Sequence, residues 1–241
     1  NNEITQAITI FTEILRGQKE RHGKHSLQAA MAMHNLGVVY VKSNQYYETS
    51  KLCEMASKIR REELGKDHLD VAVSLAQMGV ALMELSKYED ALVVFQEALL
   101  IRRLNFGHDC NHTLIVRILN NIGCALFEMD KMEEARVAFE ETLCMQRQLM
   151  KEDTTANTNK SEKDNGGGKE KKVNLAKGRS CGSSGELSSS GGGTTDQKKG
   201  SNQMLLSVAL TLCNLGSIHL RTGKLDASFV VFKEALLVSD L

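Results

Sequence analysis

The sequence predicts an all-α fold built as a solenoid of antiparallel helix pairs, and three observations support this. The 241 residues contain no Pro and include long runs rich in Ala, Leu, Glu and Lys, which favours helices. Apolar residues recur at spacings of three and four along most of the chain. One pattern of small and apolar residues returns about every 42 residues, as in proteins whose helix pairs stack into an array.

Glycines mark the repeat most clearly, since Gly23, Gly65 and Gly107 lie 42 residues apart. The first half of each repeat is HNLGVVY (34–40), AQMGVAL (76–82), NNIGCAL (120–126) and CNLGSIH (213–219). The second half is best seen in YEDALVVFQEALLIRR (88–103), MEEARVAFEETLCMQR (132–147) and LDASFVVFKEALLVSD (225–240). The opening TQAITIFTEILRGQKE (5–20) is a second half alone, so residues 1–150 hold a half repeat and three full repeats.

Each repeat contains two helical patterns, for example 68–85 and 88–104, joined by a short turn. Small residues occupy the places where the two helices must cross closely: Gly79 on the first helix, and Ala91 and Ala98 on the second. A larger residue there would hold the helices apart and open a void.

The polar stretch Leu64–Ala72 (LGKDHLDVA) lies between two apolar runs and suggests either a site or a joint between repeats. Degraded copies begin at Gly23 and Gly107, and a feature that recurs in every repeat serves the architecture. We therefore predict a joint in which Gly65 adopts the left-handed conformation after a helix. Asp67 is predicted to cap the next helix, with Asp70 near its positive end.

These motifs resemble the tetratricopeptide repeat, whose second helix carries the Ala-Phe-Ala set seen here as Ala91, Phe95 and Ala98. The 42-residue length and the joint resemble kinesin light chains and their relatives, where Pro stands in place of Leu69. The family's usual Trp and closing Pro are absent. The resemblance covers the chain except for about 50 residues. It implies a right-handed superhelix that binds partner segments in a concave groove.

About 51 extra residues separate the third and fourth repeats, and we assign them to an insert at 151–203. The insert contains ten of the chain's 19 Gly, and its only large aliphatic residues are Val173, Leu175 and Leu187. It cannot bury enough apolar surface to offset its ordering entropy and is predicted to be disordered. Residues 204–241 are predicted to form a further repeat on the same solenoid.

Composition excludes several classes of protein. Lys plus Arg equals Asp plus Glu at 30 each, which disfavours a nucleic-acid binder. No apolar run is long enough to suggest membrane insertion, and the first residues lack the basic-then-apolar pattern expected of a signal peptide. The six Cys lack a C-x-x-C pair and are expected to be reduced in a cytoplasmic protein. We expect the chain to be a fragment of a longer protein.

The sequence contains no convincing catalytic, cofactor or metal motif. Gly166–Lys169 lacks the spacing of a phosphate loop, and neither H-E-x-x-H nor G-x-S-x-G is present. His108, Cys110 and His112 are suitable zinc ligands, but a fourth ligand is not evident and His112 aligns with a helix start. We therefore predict no enzyme activity, no cofactor and no metal.

In the tetratricopeptide pattern, the concave face is lined by defined positions of the first helices. The resemblance to kinesin light chains implicates the pair Asn120 and Asn121 in peptide binding, and Asn35 and Asn214 share the second position. Asn side chains can bond both backbone groups of a peptide, although they could instead bond between neighbouring helices. The predicted peptide-binding groove comprises Met31, His34, Asn35, Val38, Val41, Lys42, Val73, Ala76, Val80, Met83, Arg117, Asn120, Asn121, Cys124, Phe127, Leu210, Cys213, Asn214, Ser217 and Arg221.

The leading functional prediction is a non-enzymatic adaptor that binds a peptide in this groove. The resemblance implies one specific version, microtubule-associated cargo binding with kinesin heavy chain or a cargo adaptor as partner of the full-length protein. The rival predictions are a regulatory or sensor array of a signalling enzyme or nucleotide-switch ATPase, and a scaffold that uses its convex surface. The apolar ending Ala235–Val238 predicts further helix after Leu241.

Overall fold

The computed structural model describes the backbone of residues 2–107, 112–164 and 195–239. No strand occurs in these ranges. The helices are α1 (Asn2–His22), α2 (Leu27–Lys42), α3 (Tyr46–Leu64), α4 (Leu69–Glu84), α5 (Tyr88–Phe106), α6 (Thr113–Glu128), α7 (Met132–Asp164), α8 (Thr195–Arg221) and α9 (Leu225–Ser239).

Each helix packs against its neighbours in the chain, and alternate helices lie in two layers. The even-numbered helices α2, α4, α6 and α8 also approach one another in sequence, and they form the inner layer of a solenoid. The odd-numbered helices form the outer layer. This confirms the predicted all-α array of antiparallel helix pairs.

Ion pairs connect successive outer helices, which lie too far apart for backbone contact. Arg61 of α3 donates to both carboxylate oxygens of Glu97 of α5 at 2.8 Å. The pattern recurs one repeat later between Arg103 and Glu141. Such half-exposed pairs contribute little each, so packing of the inner layer carries most of the stability.

The crossing of the two helices in each pair depends on a glycine, as predicted. Gly123 lies against the ring of Phe139, and a Cβ at this position would meet Phe139 Cε1 at 2.6 Å. Gly79 has the same relation to Phe95, with a distance of 2.5 Å. Both rings are almost completely buried, so these close crossings organise the cores of their repeats.

The turn within each pair requires a residue with positive φ. Asn44, Ser86 and Asp130 have φ of 59°, 57° and 61°, and Gly223 occupies the corresponding position with 74°. Asn, Asp and Gly tolerate the left-handed region better than most residues. The repeat therefore preserves a turn geometry even though the residue changes.

The joints between pairs correct two predictions, the left-handed helical conformation of Gly65 and the residue that caps α4. Gly65 follows α3 with φ +92° and ψ 156°, a positive-φ conformation that is extended rather than helical and essentially restricted to Gly. The prediction that Asp67 caps the next helix is wrong. His68 is the N-cap of α4, and its Nδ1 accepts a hydrogen bond from the backbone N–H of Asp70 at 3.1 Å. The His68 ring nitrogen thus satisfies one of the free backbone N–H groups at the start of α4, the role predicted for Asp67.

We expect Gly65→Ala to lower the free energy of unfolding by about 2 kcal/mol, because Ala does not readily adopt this conformation. The matched control is Gly17→Ala in α1, where a Cβ meets nothing within 4 Å and the helical backbone suits Ala. That control should be neutral or stabilise by up to about 1 kcal/mol. Urea unfolding would measure both, and equal effects would contradict the assigned strain.

The predicted insert at 151–203 is helical at both of its edges. Helix α7 continues to Asp164 and α8 begins at Thr195, because the edges contain no Pro and can extend the flanking helices. The middle of the insert, 165–194, lies outside the described residues. After it, α8 packs against both α7 and α9, so the fourth repeat continues the solenoid.

The buried apolar residues form two clusters. One joins α1, α2 and α3, from Leu15 to Ile59, and the other extends from Val71 of α4 to α9. Buried polar residues, including Ser57 and Ser74, lie between them where α3 meets α4. The corresponding positions one repeat later hold Leu99 and Ile118, which continue the larger cluster.

Within the described residues, one segment of α8, Asn202–Arg221, is long and apolar enough to cross a membrane by length and composition. The expectation that no run reaches this length was therefore wrong. In this fold, Leu212, Leu215 and Ile218 of the segment are buried in the larger core cluster. The apolar character of α8 is explained by its place in the inner layer.

Candidate functional site

The predicted groove residues all lie on the inner helices α2, α4, α6 and α8. None of the twenty predicted groove residues is buried, whereas the positions between them, such as Met33 and Leu119, are buried in the core. Exposed members are Met31, Asn35, Lys42, Arg117, Leu210 and Arg221. Half-buried members are His34, Val38, Val41, Val73, Ala76, Val80, Met83, Asn120, Asn121, Cys124, Phe127, Cys213, Asn214 and Ser217.

The best-defined part of this face lies between α6 and α8, and we call it the α6–α8 patch: Asn120, Cys124, Phe127, Asn214 and Arg221. The Nδ2 groups of Asn120 and Asn214 lie 4.0 and 3.9 Å from Cys124 Sγ and point their N–H groups at it. Thiol sulfur is a weak acceptor, so these amides can be recruited by a stronger one.

Asn120 has a buried polar atom without a partner. Its Oδ1 is inaccessible and accepts no hydrogen bond, although the side chain as a whole is half-buried. A buried acceptor left unsatisfied costs about 1–3 kcal/mol. A ligand N–H group can satisfy this oxygen only when the Asn120 side chain turns toward the groove.

Arg221 and Phe127 add a charged and aromatic edge to the α6–α8 patch. The Arg221 guanidinium carbon lies 4.3 Å from the centroid of the Phe127 ring. This cation–π contact holds Arg221 over the groove without neutralising its charge. The sequence placed both residues on the concave face, but their contact crosses from α6 to α8 and no spacing predicts it.

The asparagines outside Asn120 occupy different environments. Asn214 bonds toward Cys124 on the neighbouring inner helix, which matches the alternative in which these residues bond between helices. Asn35 is exposed on α2 and free to contact a ligand. No bond joins α2 residues of the predicted groove to the α6–α8 patch, so the structure brings together only part of the predicted set.

His34 is the most unusual titratable group on this face. Its Nδ1 is buried without a partner, and burial together with the nearby charge of Arg60 lowers its pKa to about 4. Asp70 opposes this effect. His34 is therefore neutral at physiological pH and contributes polarity but no charge to the groove.

The contacts of His112 do not support the zinc site considered at His108, Cys110 and His112. His112 caps α6, with Nδ1 accepting from the N–H of Leu114 at 3.2 Å, and its ring stacks on Phe106. His108 and Cys110 lie outside the described residues. Among the residues that the structure places, no group of three His, Cys, Asp or Glu side chains could hold a metal.

Cys53 and Cys124 do not have the character of nucleophiles. Burial raises the pKa of Cys53 to about 12 and, with the charge of Glu128, that of Cys124 to about 11. A thiol that remains protonated at neutral pH is a poor nucleophile. Cys124 is better described as a weak hydrogen-bond acceptor in the α6–α8 patch.

Comparison with family models identifies the repeat. One tetratricopeptide repeat model matches residues 39–104 and 75–148, and a second matches 209–239, together more than half of the chain. The chain belongs to the tetratricopeptide repeat family. This family of interaction repeats accounts for the glycine crossings, the turn geometry and the inner face. The comparison with curated protein sequences found no match.

Solved tetratricopeptide-type structures share the whole fold. BtubC (BKLC) from P. vanneervenii has a TM-score of 0.68 at 15% identity, with 98% of this chain and 73% of that chain covered. A putative kinesin light chain from Podosopora anserina with nearly identical TPR-like repeats has a TM-score of 0.66 at 12% identity, covering 99% and 87%. A Rap protein complexed with Competence and Sporulation Factor has a TM-score of 0.60 at 12% identity, covering 99% and 50%. These likenesses show a fold of the kinesin-light-chain-like type.

Proposed function

We propose that this tetratricopeptide array is a non-enzymatic adaptor that binds a peptide segment of a partner protein in its concave groove. The observation that carries the proposal is the α6–α8 patch, where Asn120 presents a buried, unpartnered acceptor beside amides bonded only to a thiol. An incoming peptide backbone supplies a carbonyl for the amide donors and, once the Asn120 side chain turns toward the groove, an N–H group for its Oδ1. Each such exchange is favourable because it replaces a weak or missing hydrogen bond.

The neighbouring residues define which peptide the groove prefers. Val80, Met83 and Phe127 offer apolar surface, while Arg117 and Arg221 place two cations along the same face. A segment with apolar side chains matches this combination, with its acidic residues at Arg117 and Arg221 and away from Glu84 and Glu128, which oppose them. Cytoplasmic cargo binding near microtubules, with kinesin heavy chain or a cargo adaptor as partner, is the specific version that the kinesin-light-chain-like repeat favours.

A second candidate is a regulatory or sensor array of a larger signalling protein. It is favoured by the similarity in fold to the Rap protein that was crystallised with Competence and Sporulation Factor. In this case the groove would bind a regulatory ligand and pass on its presence by a change in the solenoid. Both candidates use the same groove and differ in what the bound segment controls.

The test is an affinity purification from cytosol, with partners identified by mass spectrometry. The bait is the intact chain beside a triple variant, Arg117→Ala, Asn120→Ala and Asn121→Ala. Loss of three hydrogen-bonding side chains at about 1 kcal/mol each should weaken groove partners at least about tenfold. Circular dichroism and thermal unfolding would establish that the variant keeps its fold.

A convex-face variant, Val93→Ser with Val137→Ser, is the matched control. Both valines are exposed on outer helices, at 64% and 56%, so their replacement leaves the groove intact. Partners lost only with the groove variant support the proposal. Partners lost only with the convex-face variant would instead show that the outer surface is the binding site.

A further inference from the structure

Helices α3, α5 and α7 each bury a long polar side chain on the side of the next inner helix. These residues are Arg60, Arg102 and Gln146, and only 6%, 4% and 2% of their surfaces are exposed. They occupy equivalent positions, because each follows a buried residue of the second helix by three: Ser57, Leu99 and Leu143. The three joints therefore differ in chemistry but share one geometry.

Two of these buried side chains have acceptors on the next inner helix. Arg60 Nη1 donates to the backbone oxygen of Asp70 at 2.9 Å and to Ser74 Oγ at 2.7 Å. Gln146 Nε2 donates to Ser207 Oγ at 2.7 Å. Counted from the glycine of each inner helix, Asp70 and Ser207 hold the same position, nine residues before it.

Arg102 lacks these acceptors. Its Nε and Nη1 are buried and have no hydrogen-bond partner. In the same register, Ile118 replaces Ser74 and removes the hydroxyl acceptor, and Leu114 replaces Asp70 and removes the nearby carboxylate charge, although it keeps a backbone oxygen. A buried guanidinium that forms no such bond is costly, and buried charges in proteins are normally paired.

The surroundings of Arg102 are positive. Arg117 of α6 is close enough that its charge, added to burial, lowers the pKa of Arg102 to about 10. Arg102 in turn lowers the pKa of His112, the N-cap of α6, after burial as the first cause. The first turn of α6 carries no acidic residue, whereas that of α4 carries Asp70. The positive end of the α6 dipole adds to this field.

We propose that Arg102 and Arg117, at the start of α6, form a binding site for one small oxyanion, either a carboxylate or a phosphate. Arg102 supplies unpaired N–H donors that are covered in the anion-free fold, so the anion must enter the joint to reach them, and Arg117 supplies a second cation exposed on α6. Guanidinium groups bind both anions through paired N–H donors. The anion can be free in solution or belong to an acidic side chain in the groove.

The first experiment titrates the intact chain with inorganic phosphate at constant ionic strength, maintained with chloride. The readouts are thermal unfolding and the NMR resonance of the Arg102 Nε–H group, assigned by its loss in Arg102→Gln. We expect a saturable shift of that resonance and a Tm increase of about 2–4 °C at phosphate about five times above its Kd. Arg102→Gln should lose the saturable Tm increase.

Arg103→Gln is the matched control, since it removes the same charge at the next residue, where the guanidinium already binds Glu141. This variant should keep the phosphate response. Arg117→Gln, an exposed position, should weaken apparent phosphate affinity at least about threefold and provides a second test if Arg102→Gln does not fold. An equal response to phosphate in wild type, Arg102→Gln and Arg117→Gln would overturn the site.

A capped tri-glutamate peptide in a parallel titration distinguishes the two sources of the anion. A saturable response to the peptide that Arg102→Gln abolishes would assign the site to side chains of groove ligands. A response to phosphate alone would assign it to a free anion, and a response to neither would overturn the proposal. These titrations use no partner protein, so their failure is separate from failure of the adaptor function.

Discussion

Replacement of Gly123 by Ala should lower the free energy of unfolding by about 3 kcal/mol. The new Cβ would lie 2.6 Å from Phe139 Cε1 and 2.8 Å from two further ring atoms. Phe139 is 1% exposed and has no open space into which its ring can turn. The helices would have to separate, which also loosens contacts of the same core on both sides. Urea unfolding monitored by circular dichroism measures the change.

Gly37→Ala is the matched control in the first repeat. There Cys53 replaces the Phe, and the added Cβ would meet Cys53 Sγ at 3.3 Å. The smaller overlap is offset by the better helix propensity of Ala, so we expect a net change below about 1 kcal/mol. If the two substitutions cost the same, the Phe ring is not the cause and the crossing geometry is wrong.

Acidification should destabilise the fold through His34. Its pKa is 6.5 in the unfolded chain and about 4 in the folded protein, where burial and Arg60 disfavour the imidazolium ion. Between these values the unfolded chain binds more protons, so the free energy of unfolding falls as the pH falls from about 7 to 4. The shift corresponds to a loss of about 3 kcal/mol, complete once the pH is below the folded pKa.

His34→Asn isolates this contribution, because Asn120 shows that the repeat accepts Asn at this position. The variant retains His112 and the carboxylates, so the pH dependence of its unfolding free energy reports the contribution of the other titrating groups. Urea unfolding of both proteins at several pH values between 4 and 7.5 should show a steeper loss for the wild type. Parallel curves would mean that His34 titrates normally and is not buried as described.

Much of this fold is predictable because the same kinds of residue recur at the same positions of each repeat. The distance along the chain from Gly79 to the small residue Ala91 is the same in all four repeats. A spacing that recurs four times indicates a structural role. The groove positions follow from the same register, since residues facing outward from an inner helix alternate with buried ones such as Met33. These inferences need only helical periodicity.

The remaining features depend on contacts between repeats that no spacing within one repeat reports. The capping of α4 by His68 rather than Asp67 was missed because carboxylates are preferred N-caps while a ring nitrogen reaches the same N–H group. The contact of Arg221 with Phe127 requires the two inner helices to be placed. The loss of a side-chain acceptor for Arg102 was detectable in principle, by comparing Ile118 with Ser74 in the aligned repeats.

The polar junction between α3 and α4 has a consequence for how the molecule opens. In a linear array, cooperativity passes from one repeat to the next through the interface they share. Here Ser57 and Ser74 stand where Leu99 and Ile118 continue the larger cluster one repeat later, so the apolar core is divided at α3–α4 and Arg60 bridges the division by hydrogen bonds. Because the apolar core is divided here, we expect the amide hydrogens of α1–α3 to exchange with solvent as a unit separate from the remainder. In that case the α2 end of the groove opens independently of the α6–α8 patch.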